Sequence, residues 1–497
     1  MKKDDNAISQ IMGACLLLLI ALACFSMIYM YVFTYPMPNP APYVEIVGSI
    51  EGGNIVLLHF GGENLKLDTQ LIMNKGNTTE FTTVENYLDS KSKNNSFWNI
   101  GERLLYPIGD VTGLKVAVSV IDKDTSSVIF HGWLKDTFSD TYNFSKGIGK
   151  QYDIIRIPNT LNVIMAYTDK DNDGFVLTLE LASDGDITTI LDSLEFDPNF
   201  CMYPKLIHVS GSIYAICYRG QGSAGTIKTV QIASNGSIND TVYDTQVFDF
   251  VQCLEPDIIH VSGNVYAISY RGDNDDGFLK TIGILSDGDI TAVIDILEFD
   301  ASMAIASDII HISGDIYAIA YSGEDDDGFL KTVEIATNGA ITNLVIDTLE
   351  FDPLAGKNPV IALVDGDIHA IAYTGENSHG YLKTIEIDGN GTINNAVIDT
   401  TKFDSNKGEE PDIIHISGNI FALAYSAAGD VGNIITVEIA NDGSIIDPII
   451  DAFEFSAFCR NPHIIHVSEN MYGVAYLGAG NNGFMTTVFI NSNGNIY

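Results

Sequence analysis

The sequence predicts an all-β protein with one N-terminal transmembrane helix. A small β-sandwich follows the helix, and then a seven-bladed β-propeller closed by an N-terminal strand. Three observations carry this reading. An uncharged run extends from Asn6 to Pro42. A Tyr recurs seven times at a spacing of 51 or 52 residues. One copy of a repeated motif is missing from the end of the chain and stands ahead of the first repeat instead. Composition agrees. Of 497 residues, 46% are hydrophobic and only 18% charged, with 45 Gly, 24 Phe and 23 Tyr. That mix suits turn-rich sheets. The net charge of −40 argues against nucleic acid as a partner, because phosphate recognition requires basic surface.

Residues 1–35 begin with Lys2, Lys3, Asp4 and Asp5 and continue into an apolar stretch from Ala14 to Phe33. Twenty residues at ~1.5 Å each would span ~30 Å, one bilayer core. Tyr29, Tyr31 and Tyr35 stand where an interfacial aromatic belt would lie. The two lysines place the N-terminus in the cytoplasm by charge bias, which puts everything after Tyr35 outside the cell. The alternation Pro36, Pro38, Pro40, Pro42 makes residues 36–42 a stiff extended linker, since none of these prolines donates a backbone hydrogen bond.

The segment Asp4-Asp5-Asn6-Ala7-Ile8-Ser9-Gln10-Ile11-Met12-Gly13-Ala14, running into Cys15-Leu16-Leu17-Leu18-Leu19, resembles the N-terminus of archaeal type IV pilins. Gln10 stands where many relatives carry Glu. The resemblance implies prepilin-type processing near Asn6 and Ala7, close packing at Gly13 and Ala14, and other pilin subunits as partners. It also implies a cell-surface location, either anchored in the cell membrane by the helix or carried in an extracellular pilus.

Residues 43–135 show short apolar runs separated by Gly52-Gly53, Gly61-Gly62 and Asn74 to Asn77, the pattern of a small β-sandwich domain. Both tryptophans, Trp98 and Trp133, fall here and are expected in its core.

Residues 137–497 carry the repeats. The columns are Tyr167, Tyr218, Tyr270, Tyr321, Tyr373, Tyr425 and Tyr476, each followed seven residues later by Gly. A period near 50 marks a propeller. The third and fourth strand-like runs of every repeat are joined by Asp-Gly or Asn-Gly, the tight-hairpin pair. Asp-x-x-x-Phe closes six repeats, from Asp192–Phe196 to Asp451–Phe455. The seventh copy, Asp140 to Phe144, precedes the first Tyr. An N-terminal strand therefore completes the last blade, and ring closure removes exposed sheet edges.

Five repeats carry His at one first-strand position: His208, His260, His311, His415 and His466. Such a set could line a channel or hold a metal, but a fixed hydrogen bond between blades is the favoured reading. Asp169, Asp171 and Asp173 offer three hard oxygens for calcium, set against a solvated acidic hairpin. An EF-hand is rejected there, because Glu180 lies on a strand running away from the loop. Cys201, Cys253 and Cys459 share one repeat position, and a disulfide between the first two requires a close approach near the ring axis. Asn77, Asn94, Asn143, Asn235, Asn239 and Asn390 open glycosylation sequons.

No nucleophile elbow, phosphate loop or Ser/His/Asp constellation is present. The leader-like N-terminus and the ring of repeats lead to the expected function, which is non-enzymatic: a membrane- or pilus-anchored surface protein presenting a propeller for binding or adhesion, with an extracellular glycan or protein as ligand. A structural filament or coat subunit and a polysaccharide-active enzyme are the alternatives.

Overall fold

The computed structural model describes residues 21–22, 41–51, 54–75, 78–88, 96–107, 116–134, 141–145, 151–183, 185–394 and 396–496. The chain divides into two compact units, Met1–Thr137 and Phe138–Tyr497. In the first, a three-stranded and a four-stranded antiparallel sheet share one core. Ile55 and Leu57 from one sheet meet Leu71, Met73 and Val118 from the other, and Trp98 is fully buried among them. The side chain of Trp133 lies outside the described residues.

The second unit is seven four-stranded antiparallel sheets. The first comprises Tyr152–Arg156, Val163–Thr168, Gly174–Leu181 and Ile187–Asp197. The seventh takes three strands from the C-terminus, Arg460–Ser468, Met471–Leu477 and Gly483–Phe489. Its fourth strand is Thr141–Ser145, which pairs antiparallel with Gly483–Phe489. The first strands of successive blades lie side by side, and that of blade seven lies beside that of blade one. The ring is closed.

The repeated sequence columns meet at each junction between blades. The Phe that ends one blade packs edge-on against the Tyr of the next in all seven junctions, with ring centroids 5.0–5.7 Å apart. The Gly seven residues after each Tyr makes room for that Phe. At Gly328 a Cβ would stand 2.3 Å from the Phe351 ring. A second bond crosses every junction. A buried third-strand Thr hydroxyl donates to the Gly carbonyl of the next blade's Asp-Gly or Asn-Gly turn, at 2.5–2.7 Å, from Thr178–Gly236 round to Thr487–Gly185. Those turn glycines adopt φ of +85° to +103°, which disfavours any side chain. The Asp of Asp-x-x-x-Phe accepts a backbone N–H beyond the same turn in six junctions, at 2.8–2.9 Å.

Four contiguous junctions add a buried ion triad. Asp352, for example, accepts from the Tyr373 hydroxyl at 2.6 Å and from the Lys383 ammonium at 3.0 Å. Asp197, Asp249 and Asp300 do the same with their own Tyr and Lys. The other three junctions hold Ile435, Thr486 and Leu177 at the Lys position.

The expected fold class is corrected in one respect. Helical backbone among the described residues is confined to Ala21–Leu22 and three-residue 3₁₀ turns, so the described chain is all-β with no transmembrane helix. No helix among those residues is long and apolar enough to cross a membrane. The single-pass location with a cytoplasmic N-terminus is withdrawn on the same finding. The expectation rested on hydropathy and length, which fix how apolar a segment is and leave its conformation open. Apart from Ala21 and Leu22, the run Ala14–Phe33 lies outside the described residues, as do Asn6 and Ala7.

Two substitutions test the junction. Gly328→Ala forces Phe351 to move and is expected to lower unfolding free energy by about 1–3 kcal/mol. Lys383→Met leaves the Asp352 carboxylate buried without its cation and is expected to cost about 3 kcal/mol. Denaturant unfolding of the full chain reads both.

Candidate functional site

Each first strand enters from a rim on one face of the ring and runs beside its neighbours. In six of the seven, the register slips by a bulge close to that rim. The bulge places a non-glycine residue at positive φ: Tyr203, Glu255, Ala306, Asn358, Glu410 and Asn461, between +46° and +54°. Left-handed backbone costs a side-chain-bearing residue ~1–2 kcal/mol. Such strain concentrates where geometry serves a ligand. Pro follows in five of the six, which bulged strands tolerate.

The next residue in each strand is Asp153, Lys205, Asp257, Asp308, Val360, Asp412 or His463, reading round the ring. Lys205, Asp308, Val360, Asp412 and His463 line a single cavity of about 280 Å³, open at the rim, and Asp257 and Asp153 stand behind them, beside Lys205 and His463. The adjoining Gln151 and Tyr152 bring blade one to the same wall. Side chains alternate along a strand. Two residues further in, on the same side, stand Ile155, Ile207, Ile259, Ile310, Ala362, Ile414 and Ile465, all half-buried. A polar ring thus sits above an apolar belt.

The ring carboxylates are held from behind. Asp153 accepts the Leu206 N–H at 2.7 Å, Asp257 that of Ile309 at 3.1 Å, Asp308 that of Ile361 at 2.8 Å, and Asp412 that of Ile464 at 2.7 Å. Each bond crosses to the next blade. The Lys205 ammonium lies 3.7 Å from Asp257. His463 stands 3.5 Å from Asp153 and 3.8 Å from Asp412. Lys205 remains 34% accessible to the cavity and Asp153 only 6%. Burial works against charge on Lys205, but Asp257, Asp153, Asp308 and Asp412 outweigh it, so its affinity for a proton rises. Burial and the neighbouring Asp257 charge push the Asp308 carboxyl up to about 8, against the opposing pull of the Ile361 N–H and Lys205.

The residues singled out from sequence fall elsewhere. The five His are not inter-blade ties. Each ring Nε2 contacts a backbone carbonyl three residues on, in its own hairpin turn, at 2.8–3.0 Å. Each ring also packs on the aromatic paired across that hairpin, as His311 does on Tyr317. The expectation of a bond between blades is corrected: a four-residue turn places its own carbonyl nearer than any neighbour's.

The Asp169 carboxylate accepts the N–H of Asp171 and Asp173 at 2.8 and 2.9 Å, and Asp171 pairs with Lys170. No three His, Cys, Asp or Glu side chains gather to hold one metal ion among the described residues. Cys201, Cys253 and Cys459 are buried free thiols, each packed against the Gly of the preceding blade. Asn235, Asn239 and Asn390 are exposed at turns, Asn143 is half-buried, and Asn77 and Asn94 lie outside the described residues.

The axial ring was absent from the sequence reading. Its signal was present in the triplets Tyr-Pro-Lys, Glu-Pro-Asp, Asn-Pro-Val, Glu-Pro-Asp and Asn-Pro-His, each a strand-entry Pro followed by a variable residue.

Fold and site together define a seven-bladed β-propeller with a charged axial cavity. Among solved structures the chain is similar to a candidate 6-phosphogluconolactonase from Bacteroides fragilis, at 13% identity and a TM-score of 0.47, covering 78% of this chain and 96% of that one. It is also similar to BBS1N in complex with ARL6DN, at 9% identity and a TM-score of 0.45, covering 70% and 95%. A third is AofleA from Arthrobotrys oligospora, at 11% identity and a TM-score of 0.39, covering 64% and 89%. No protein-family model and no curated protein matches the chain. The propeller assignment rests on the strand order itself.

Because the folded-state value of Asp308 lies above the ~4 of an unfolded Asp, its protonated form contributes stability that is complete below pH ~4. That contribution is lost as pH rises through about 8. Asp308→Asn keeps an acceptor for Ile361 and is expected to raise the melting temperature relative to wild type at pH 9. Little difference is expected at pH 4, by thermal unfolding across that range.

Proposed function

We propose that this protein is a non-enzymatic binding protein that presents its propeller for ligand capture or adhesion outside the cell, with the axial cavity as its site. One observation carries the reading. The Tyr, Gly, Phe and Thr columns repeat almost without change from blade to blade, while the column facing the axis reads Asp, Lys, Asp, Asp, Val, Asp, His. Positions that serve packing stay uniform in a symmetric ring. A column that breaks symmetry at an open cavity is suited to recognition. Exposed sequons at Asn235, Asn239 and Asn390 support an extracellular setting.

A polysaccharide-active enzyme is the second reading, favoured by the Asp308 carboxyl titrating near neutrality, as a general acid requires.

The test is a broad screen of the full-length chain against glycans, soluble polymers and surface-protein fragments, repeated with Asp257→Asn and Asp308→Asn. Binding weakened at least ten-fold by either variant is the expected result. Failure to bind any member of the screen would remove the reading. Turnover of a polysaccharide that is lost in Asp308→Asn would replace it with the enzyme.

A further inference from the structure

We infer that the axial cavity takes an aliphatic ligand bearing two or more ammonium groups, a short di- or polyamine or a chain ending in one. This rests on the cavity being the binding site. The wall carries Asp308 and Asp412, with Glu255 and Glu410 at the rim and Asp153 and Asp257 behind, against the single ammonium of Lys205. Lys205 is itself the precedent. It places a primary ammonium on a four-carbon stem among these carboxylates, 3.7 Å from Asp257. Asp308 and Asp412, on the wall itself, are left without an ammonium of their own.

The Asp308 carboxylate stands ready to receive one. It commits one oxygen to the Ile361 N–H, which fixes the side chain and leaves the other oxygen available, whereas the second oxygens of Asp257 and Asp153 face Lys205 and His463. The His463 Nδ1 is buried with no hydrogen-bond partner. A ligand N–H supplies that partner.

The spacing excludes the simplest alternative. The carboxylates belong to different blades, and no three of them converge on a point where one metal ion would sit. A ligand that satisfies several must reach across the ring with separated charges. The Ile belt and the rim prolines Pro204, Pro256 and Pro411 offer apolar surface to the methylenes between them. Asp308 titrating near neutrality agrees with a ring short of positive charge.

The experiment is isothermal titration of the full-length chain at pH 7.5 with spermidine, cadaverine, 1,5-pentanediol and calcium chloride. Spermidine and cadaverine are expected to bind, and pentanediol, of the same length as cadaverine and uncharged, is not. Asp308→Asn is expected to weaken both amines at least ten-fold. Lys205→Ala removes the internal ammonium, so it should bind cadaverine more tightly and recover melting temperature on addition of n-butylamine.

Equal amine affinity in wild type and Asp308→Asn would place the binding on the acidic outer surface and overturn the inference. Calcium binding that displaces the amines would overturn it as well. If amines fail but a neutral oligosaccharide binds in an Asp308-dependent manner, the amine inference falls and the binding function stands. If no probe binds, both fall. Should Lys205→Ala not fold, Asp257→Asn and Asp308→Asn decide the question.

Discussion

Everything in this propeller depends on one hydrogen bond made seven times: a buried Thr hydroxyl donating to the turn carbonyl of the following blade. A four-stranded sheet with two apolar faces cannot stand alone in water. It must bury both faces against neighbours, and those neighbours must meet it in one register. The Thr–Gly bond sets that register, because it joins a point inside one sheet to the tip of the next. A buried hydroxyl without its acceptor costs ~1–3 kcal/mol, so slipped arrangements are penalised at every junction. The Phe–Tyr contact and the cradle at Gly then add apolar area in a geometry already fixed.

The same logic explains what was legible. Columns that repeat can be found by spacing alone, and Tyr, Gly, Phe and the Asx-Gly turns are such columns. Ring closure by the strand around Phe144 was legible because one copy of a counted motif was displaced. The partner of a repeated residue was not legible. The His column was read as joining blades, yet each imidazole turns back onto its own hairpin. Recurrence shows that a position matters and does not show which neighbour it touches. The N-terminal run shows the same limit, since hydropathy alone specified neither helix nor membrane.

The axial ring escaped for the opposite reason. Its residues differ from blade to blade, so aligning the repeats erases them. Lys205 and His463 look like exceptions in a list, and only the closed ring shows that they face the same cavity as Asp308 and Asp412. Five of the six bulges that aim these residues are accompanied by a Pro that reads, in one dimension, as the end of a loop. Sequence symmetry built the scaffold, and departures from symmetry furnished the site.

The strand Thr141–Ser145 pairs with residues synthesised more than three hundred positions later. During translation it emerges before any of the seven blades and has no partner until the last of them leaves the ribosome. Closing so long a loop is slow, because chain entropy is lost before the contact rewards it. Six blades can therefore assemble in order while the seventh waits, with one unpaired edge on either side of the gap. Ring closure cannot precede the synthesis of Gly483–Phe489. Chains that stop short of Gly483–Phe489 lack the strand that seals the ring, so a truncation there leaves Thr141–Ser145 without its partner.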